Sequence, residues 1–192
     1  MPQTVLHKDR VTAMMEQKIT LHGVFMEVTR LGVLLSGASG VGKSELALEL
    51  LNRGHRLIAD DAPEFRRLAS GSVEGGCPEL LRDFLEVRGL GVINVRAMFG
   101  AAAVAPQAEL DLILQLKAMS SEQLATVDRL RPSRDTVSVL EKEVPRIVLP
   151  VAPGRNLAIL AETAVRSHLL ILGGRDAAAD FIERQRRTLT TG

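Results

Sequence analysis

Tryptophan and tyrosine are absent from these 192 residues, and five phenylalanines are the only aromatics. A core must therefore be aliphatic, and the aromatic platforms that stack single-stranded nucleic acid are missing. The single cysteine, Cys77, excludes an internal disulfide or a cysteine-rich zinc site and fits a reducing compartment. Its plainest reading is a small buried apolar side chain. Charge of one sign is lacking too. Lys and Arg number 24 against 23 Asp and Glu, so a net charge of +1 creates no overall field favouring DNA or an anionic membrane. No apolar run approaches membrane-spanning length, and the opening MPQTVLHKDRVTAMMEQ has no signal-peptide core. The expectation is a cytoplasmic protein that binds neither nucleic acid nor membrane.

Apolar residues make up 46% and charged residues 24%, enough for one aliphatic core. Residues 1–18 read as a weakly patterned lead-in, with a short helix as one option, and residues 19–192 as a single α/β domain. ITLHGVFMEV alternates and predicts a strand or hairpin edge, LGVLLSG a short strand, and SELALELLNRG a helix capped by Gly54. HRLIADD predicts a strand ending in two acids, and EFRRLASGSVEG a hairpin. PELLRDFLEV, with apolar residues at 80, 81, 84 and 85, predicts a helix from Pro78. AELDLILQLK and EVPRIVLPV predict strands, the prolines of the second suggesting an edge or sheet exit. The pattern from Asn156 onward is helical, with Asp176 as N-cap of the last helix.

Gly37-Ala38-Ser39-Gly40-Val41-Gly42-Lys43-Ser44 matches G-x-x-x-x-G-K-[ST] in full, between a predicted strand and a predicted helix. Glycines let consecutive backbone N–H groups turn inward, and the following helix adds the positive end of its dipole. Lys43 is then placed for the β- and γ-phosphates, and the Ser44 hydroxyl for Mg²⁺. A plain glycine turn is the bland alternative, and it leaves the agreement of strand, motif and helix unexplained.

Asp60 and Asp61 close the strand after the loop, at the edge where open α/β sheets bind ligands. One carboxylate suits a water-held Mg²⁺ and the other a proton from an incoming hydroxyl; a solvated turn is the rival reading. Side chains alternate along a strand, which predicts that only one of the two meets a substrate.

These stretches together resemble a family. HGV at 22–24, the loop at 37–44, GHRLIADD at 54–61, LEVRGLGVINV at 85–95, AMFG at 97–100, DRL at 128–130 and LPVAPGRNLA at 149–158 occur in this order in HPr kinase/phosphorylase. The resemblance covers roughly residues 20–187. It implies a P-loop kinase-like domain with a mixed sheet flanked by helices, of the HPr kinase and phosphoenolpyruvate carboxykinase type. It implies a bifunctional enzyme that phosphorylates a serine of the phosphocarrier HPr with ATP or pyrophosphate. The same enzyme removes that phosphate with inorganic phosphate, releasing pyrophosphate. A homohexamer is implied, and the chain resembles the catalytic domain without the family's N-terminal domain.

By position, the resemblance makes Asp61 the base that deprotonates the serine and the acid of the reverse reaction, with Asp60 on the metal side; the two are interchangeable at this stage. Glu86 becomes a second magnesium-linked acid, His22 a histidine near phosphate or carboxylate, and Arg129 a stabiliser of the transferring charge. Val151 to Asn156 becomes the dephosphorylation segment, with Arg155 as its phosphate ligand. Each has a bland rival: His22 as a structural histidine, Glu86 and Arg88 as a helix-end ion pair, Arg129 in a surface salt bridge. Two other classes remain for the whole chain, a P-loop small-molecule kinase and a nucleotide sensor without catalysis. No substrate lid is apparent for the first, and intact Lys43, Ser44, Asp61 and Glu86 argue against the second.

Overall fold

The computed structural model describes residues 17–190, so the helix option for the lead-in lies outside the described residues. Strand β1 spans Lys18–Thr20, β2 Val24–Val28 and β3 Leu31–Gly37, followed by helix α1, Lys43–Asn52. Then come β4, Arg56–Ala59, and the hairpin of β5, Glu64–Arg67, with β6, Val73–Gly76. A second hairpin joins β7, Phe84–Val87, to β8, Gly91–Asn94, and leads into the short α2, Val95–Phe99. The long β9, Gln107–Ala118, precedes α3, Ser121–Ala125; β10, Arg134–Val139, pairs with β11, Lys142–Val151. Helices α4, Leu157–Leu172, and α5, Ala177–Thr190, complete the order.

The main sheet runs β10-β11-β9-β3-β2-β4, with β3, β9 and β11 parallel and the outer pairings antiparallel. The first three residues of β9 also pair with β6, which carries β5 and β1. Alternation assigns the faces. Val24, Met26 and Val28 of β2 and Val33 and Leu35 of β3 meet Leu46, Leu50 and Leu51 of α1 and Ala158, Ala161 and Val165 of α4. Phe25 and Leu34 point the other way, onto Phe65 and Val73 of the β5–β6 hairpin, with the two phenylalanine rings edge to face at 5.0 Å. Helices thus cover one face of this mixed sheet and a hairpin the other.

In β9 the periodicity slips once. Gly32 opposes Leu110 and Val33 opposes Leu112, leaving Asp111 as an extra residue whose carboxylate accepts the Gly32 N–H at 2.9 Å. Leu110 therefore joins the hairpin side, while Leu112, Leu114 and Leu116 join the helix side.

Two expectations are corrected. The helix expected from Pro78 is only a single 3₁₀ turn, Glu79–Leu81, followed by β7. Asp83 takes φ +69, which ends any helix, and Leu85 and Val87 alternate into the core while Leu80 is 88% exposed. The β11 strand is interior rather than an edge, yet the proline signal holds locally. At Pro145 only β10 is paired, and at Pro150 only β9, so each proline has a single neighbouring strand. The hairpin at 64–76, the α1 and α4 helices, and the Asp176 cap, which accepts the Ala178 and Ala179 N–H groups, form as expected.

Candidate active site

The loop between β3 and α1 begins where β3 stops pairing with β9. A Cβ at Gly37 would lie 2.5 Å from the Leu116 carbonyl oxygen, so the loop is seated on β9 with no space for a side chain. Gly42 caps α1 at φ +102, a conformation that side chains resist, and offers no side-chain acceptor to the helix. The N–H groups of Gly42, Lys43 and Ser44 find no acceptor among the described residues. They point from a helix N-terminus, the geometry that receives anions. The Lys43 ammonium donates to the Gly37 and Ala38 carbonyls at 3.0 and 3.1 Å, which holds it across the loop mouth.

Facing the loop is a cleft of about 180 Å³ lined by Lys43, Ser44, Asp60, Asp61, Glu86 and Arg88, together with loop glycines and Glu45. Both acids of the pair line it. Alternation does not separate them because β4 ends at Ala59 and Asp61 turns to φ +62. Their environments differ. Asp60 is half-buried, and its Oδ2 accepts the Glu86 N–H at 2.8 Å. Burial pushes its carboxyl above the ordinary value, although the N–H bonds from Glu86 and Asp61 oppose the shift. Asp61 is open to solvent, and its Oδ1 lies 2.9 Å from His22 Nδ1. A carboxylate only accepts, so this imidazole nitrogen carries the proton and the ring holds Asp61 in place.

Glu86 reaches the cleft because β7 alternates, with Leu85 and Val87 inward and Glu86 outward. Arg88, read from the sequence as a possible ion-pair partner of Glu86, instead extends over the phosphate loop. Its Nη1 lies 3.2 Å from where a Gly40 Cβ would be. The signal was the RGLG spacing: Gly89 and Gly91, both at positive φ, turn the hairpin so that Arg88 at its tip faces the loop. The oxygen donors Ser44, Asp60, Asp61 and Glu86 suit a hard cation. No three His, Cys, Asp or Glu side chains gather as a protein cage among the described residues. A magnesium ion that shares its shell with phosphate and water needs only one or two carboxylates, so the donor set fits it.

The fold thus brings together the loop residues Gly37 to Ser44, the two aspartates, His22 and Glu86. Arg129 and Arg155 are exposed and line no part of the cleft. Arg155 sits in the turn before α4, its N–H donating to Ala152, and Asn156 caps that helix by accepting the Ile159 N–H at 3.0 Å.

Comparison with known proteins gives the family of the chain. The HPr(Ser) kinase/phosphatase from Coxiella burnetii superposes with a TM-score of 0.75 at 36% identity, covering 85% of this chain and 98% of that one. The HPr kinase/phosphorylase of Xanthomonas campestris pv. campestris (strain B100) is 54% identical over 173 residues, 90% of this chain and 55% of the relative. That of Xanthomonas oryzae pv. oryzae (strain PXO99A) matches to the same extent. The chain therefore spans about half the length of these curated relatives. Residues 13–185 match the family described as the HPr Serine kinase C-terminal domain. A phosphate loop facing an acid pair and a glycine-turned Glu86, on a chain with these relatives, places this protein in the HPr serine kinase C-terminal domain family.

Proposed function

We propose that residues 19–192 act as the catalytic domain of an HPr kinase/phosphorylase, transferring phosphate to a serine of HPr from ATP or pyrophosphate and returning it to inorganic phosphate. The observation that carries this reading is the cleft that Lys43, Ser44 and Asp61 line together. Asp61 is the base: it is the exposed acid, held by His22, and reachable by a hydroxyl on a protein surface. In the forward direction the serine oxygen bonds to the terminal phosphorus as the bond to the bridging oxygen breaks, and Asp61 takes the serine proton. In reverse, a phosphate oxygen attacks phosphoserine, pyrophosphate forms, and Asp61 returns the proton to the serine oxygen.

Lys43 and the loop N–H groups neutralise the phosphates in both directions, with Arg88 above them. Ser44 and Glu86 would hold Mg²⁺, with Asp60 beside it, and the ion supplies neutralising charge on the phosphate oxygens. Arg129 and Arg155 lie outside the cleft; a role for Arg129 in stabilising the transferring charge requires its delivery from a neighbouring subunit, consistent with a homohexamer. A cytoplasmic setting follows from the HPr partner, and among the described residues no single helix is long and apolar enough to cross a membrane.

Incubating the protein with HPr, Mg²⁺ and either donor, then weighing HPr by mass spectrometry, tests the reading. Phosphoserine that disappears on adding phosphate is expected; unmodified HPr with both donors overturns it. In the same assay Arg155→Ala is expected to slow dephosphorylation about tenfold more than phosphorylation. Equal losses would show that the segment only supports α4.

A further inference from the structure

The acceptor side of the cleft is open to water. The side chains of His22 and Asp61 are 60% and 73% exposed, yet they lie 2.9 Å apart and fix each other. The backbone keeps this exposed pair aimed. At φ +62 Asp61 turns away from the line of β4, and its carbonyl accepts the Gly23 N–H at 3.3 Å, next to His22 in the chain. Asp61 Oδ1 faces His22, and Oδ2 has no hydrogen-bond partner among the described residues. That second oxygen can accept a proton from any hydroxyl beside it. Enzymes that transfer phosphate to one chosen acceptor suppress the competing water by closing over the site. This cleft cannot stay sealed, because its proposed acceptor is a serine on a folded protein that must reach Asp61. Its lining of Lys43, Ser44, Asp60, Asp61, Glu86 and Arg88 gives water polar partners throughout.

From this we infer a second activity: without a protein acceptor, the cleft hydrolyses inorganic pyrophosphate. The inference rests on the phosphate-loop and Asp61 reading above. Lys43 and the loop N–H groups hold the substrate, and a water takes the place of the serine. Its oxygen bonds to one phosphorus as the bond from that phosphorus to the bridging oxygen breaks, and the electron pair leaves on the second phosphate. Asp61 accepts one water proton and releases it to the leaving phosphate, so pyrophosphate and water become two phosphates. Pyrophosphate is also the product of the proposed dephosphorylation. Hydrolysis removes that product and returns two phosphates for each one consumed, which draws dephosphorylation forward.

Phosphate release from pyrophosphate and Mg²⁺ by the full 192-residue chain, without HPr, is the test. A turnover of about 10⁻³ s⁻¹ is expected, the scale of phosphate-loop sites that act on water without a partner. Asp61→Asn is expected to lower it by about thirtyfold or more, and asparagine tolerates the positive φ at this position. No release, or release that Asp61→Asn leaves undiminished, overturns the inference. A measurement on the unaltered chain stands beside the variant. With serine-phosphorylated HPr in excess over added phosphate, more than one HPr is expected to be dephosphorylated per phosphate. A yield capped at one per phosphate also overturns the inference. If either failure comes while HPr is still phosphorylated from pyrophosphate, the hydrolysis alone falls. Unmodified HPr with both donors is the failure of the underlying reading, and the hydrolysis falls with it.

Discussion

The two ends of α1 are built in opposite ways. At its C-terminal end the hydrogen-bonding groups are matched by protein. Gly54 N–H donates to the Leu51 carbonyl and His55 N–H to the Leu50 carbonyl, the paired bonds of a Schellman turn. Arg53 bonds Glu49 and Glu162 at 2.9 and 3.2 Å, and His55 Nε2 lies 2.9 Å from Glu162 Oε1. These contacts fasten α1 to α4. At the N-terminal end three N–H groups lack acceptors among the described residues, a glycine at positive φ replaces a side-chain cap, and a half-buried carboxylate lies opposite. The contrast teaches where binding capacity comes from. A helix end that the protein leaves unsatisfied is one that a phosphate can satisfy, and the sealed opposite end supplies the rigidity that keeps it aimed.

Substitutions at the two ends should therefore separate activity from stability. Asp61→Asn removes the proposed proton acceptor and is expected to lower transfer in both directions on the order of a thousandfold while nucleotide still binds. Retained phosphorolysis in HPr mass measurements would break the assignment. Glu162→Gln acts at the sealed end, where it is expected to lower the Tm by about 4 °C, through loss of about 1–2 kcal/mol of charge-assisted bonding. Activity at low temperature should persist.

Its pH dependence has a defined sign. Burial pushes the Glu162 carboxyl up, but the His55 bond and the Arg53 and Arg166 charges outweigh it and hold it below its ordinary value. The stability it contributes is therefore present above its unfolded value and is lost as pH falls through the lower folded one. A melt in which Glu162→Gln costs the same at every pH would contradict this.

Asp60→Asn is the smallest and points the other way. The Asp60 carboxyl is raised in the fold, so its ionised form weakens the fold once pH rises through that raised value. The amide can still accept the Glu86 N–H. A Tm increase of a degree or two at neutral pH, absent in acid, is expected alongside impaired activity; an equal change at both pH values would show that burial is not the cause.

Legibility in the sequence followed the range of each interaction. The phosphate loop, the α1 and α4 helices and the 64–76 hairpin are set by residues a few positions apart, and each formed where its pattern placed it. The family resemblance identified HPr kinase/phosphorylase from motifs spread along the chain, and the relatives agree. Segment 78–87 misled because 80, 81, 84 and 85 mimic helical spacing; the positive φ of Asp83 and the pairing of β7 with β8 decide it instead. The capping box of α3, Ser120 with Gln123, stood in the sequence and went unread. Strand β10 carries no comparable mark, since it exists by pairing with β11.

What the sequence determined by itself is a phosphate loop, an acid pair after a strand, and membership of the HPr serine kinase C-terminal domain family. Local backbone preferences and side-chain spacing suffice for these. Only the tertiary structure decided that both aspartates line one cleft, that His22 holds Asp61, and that Arg88 covers Gly40. Each depends on contacts between elements distant along the chain, where burial and sheet register, rather than local preference, choose the neighbour.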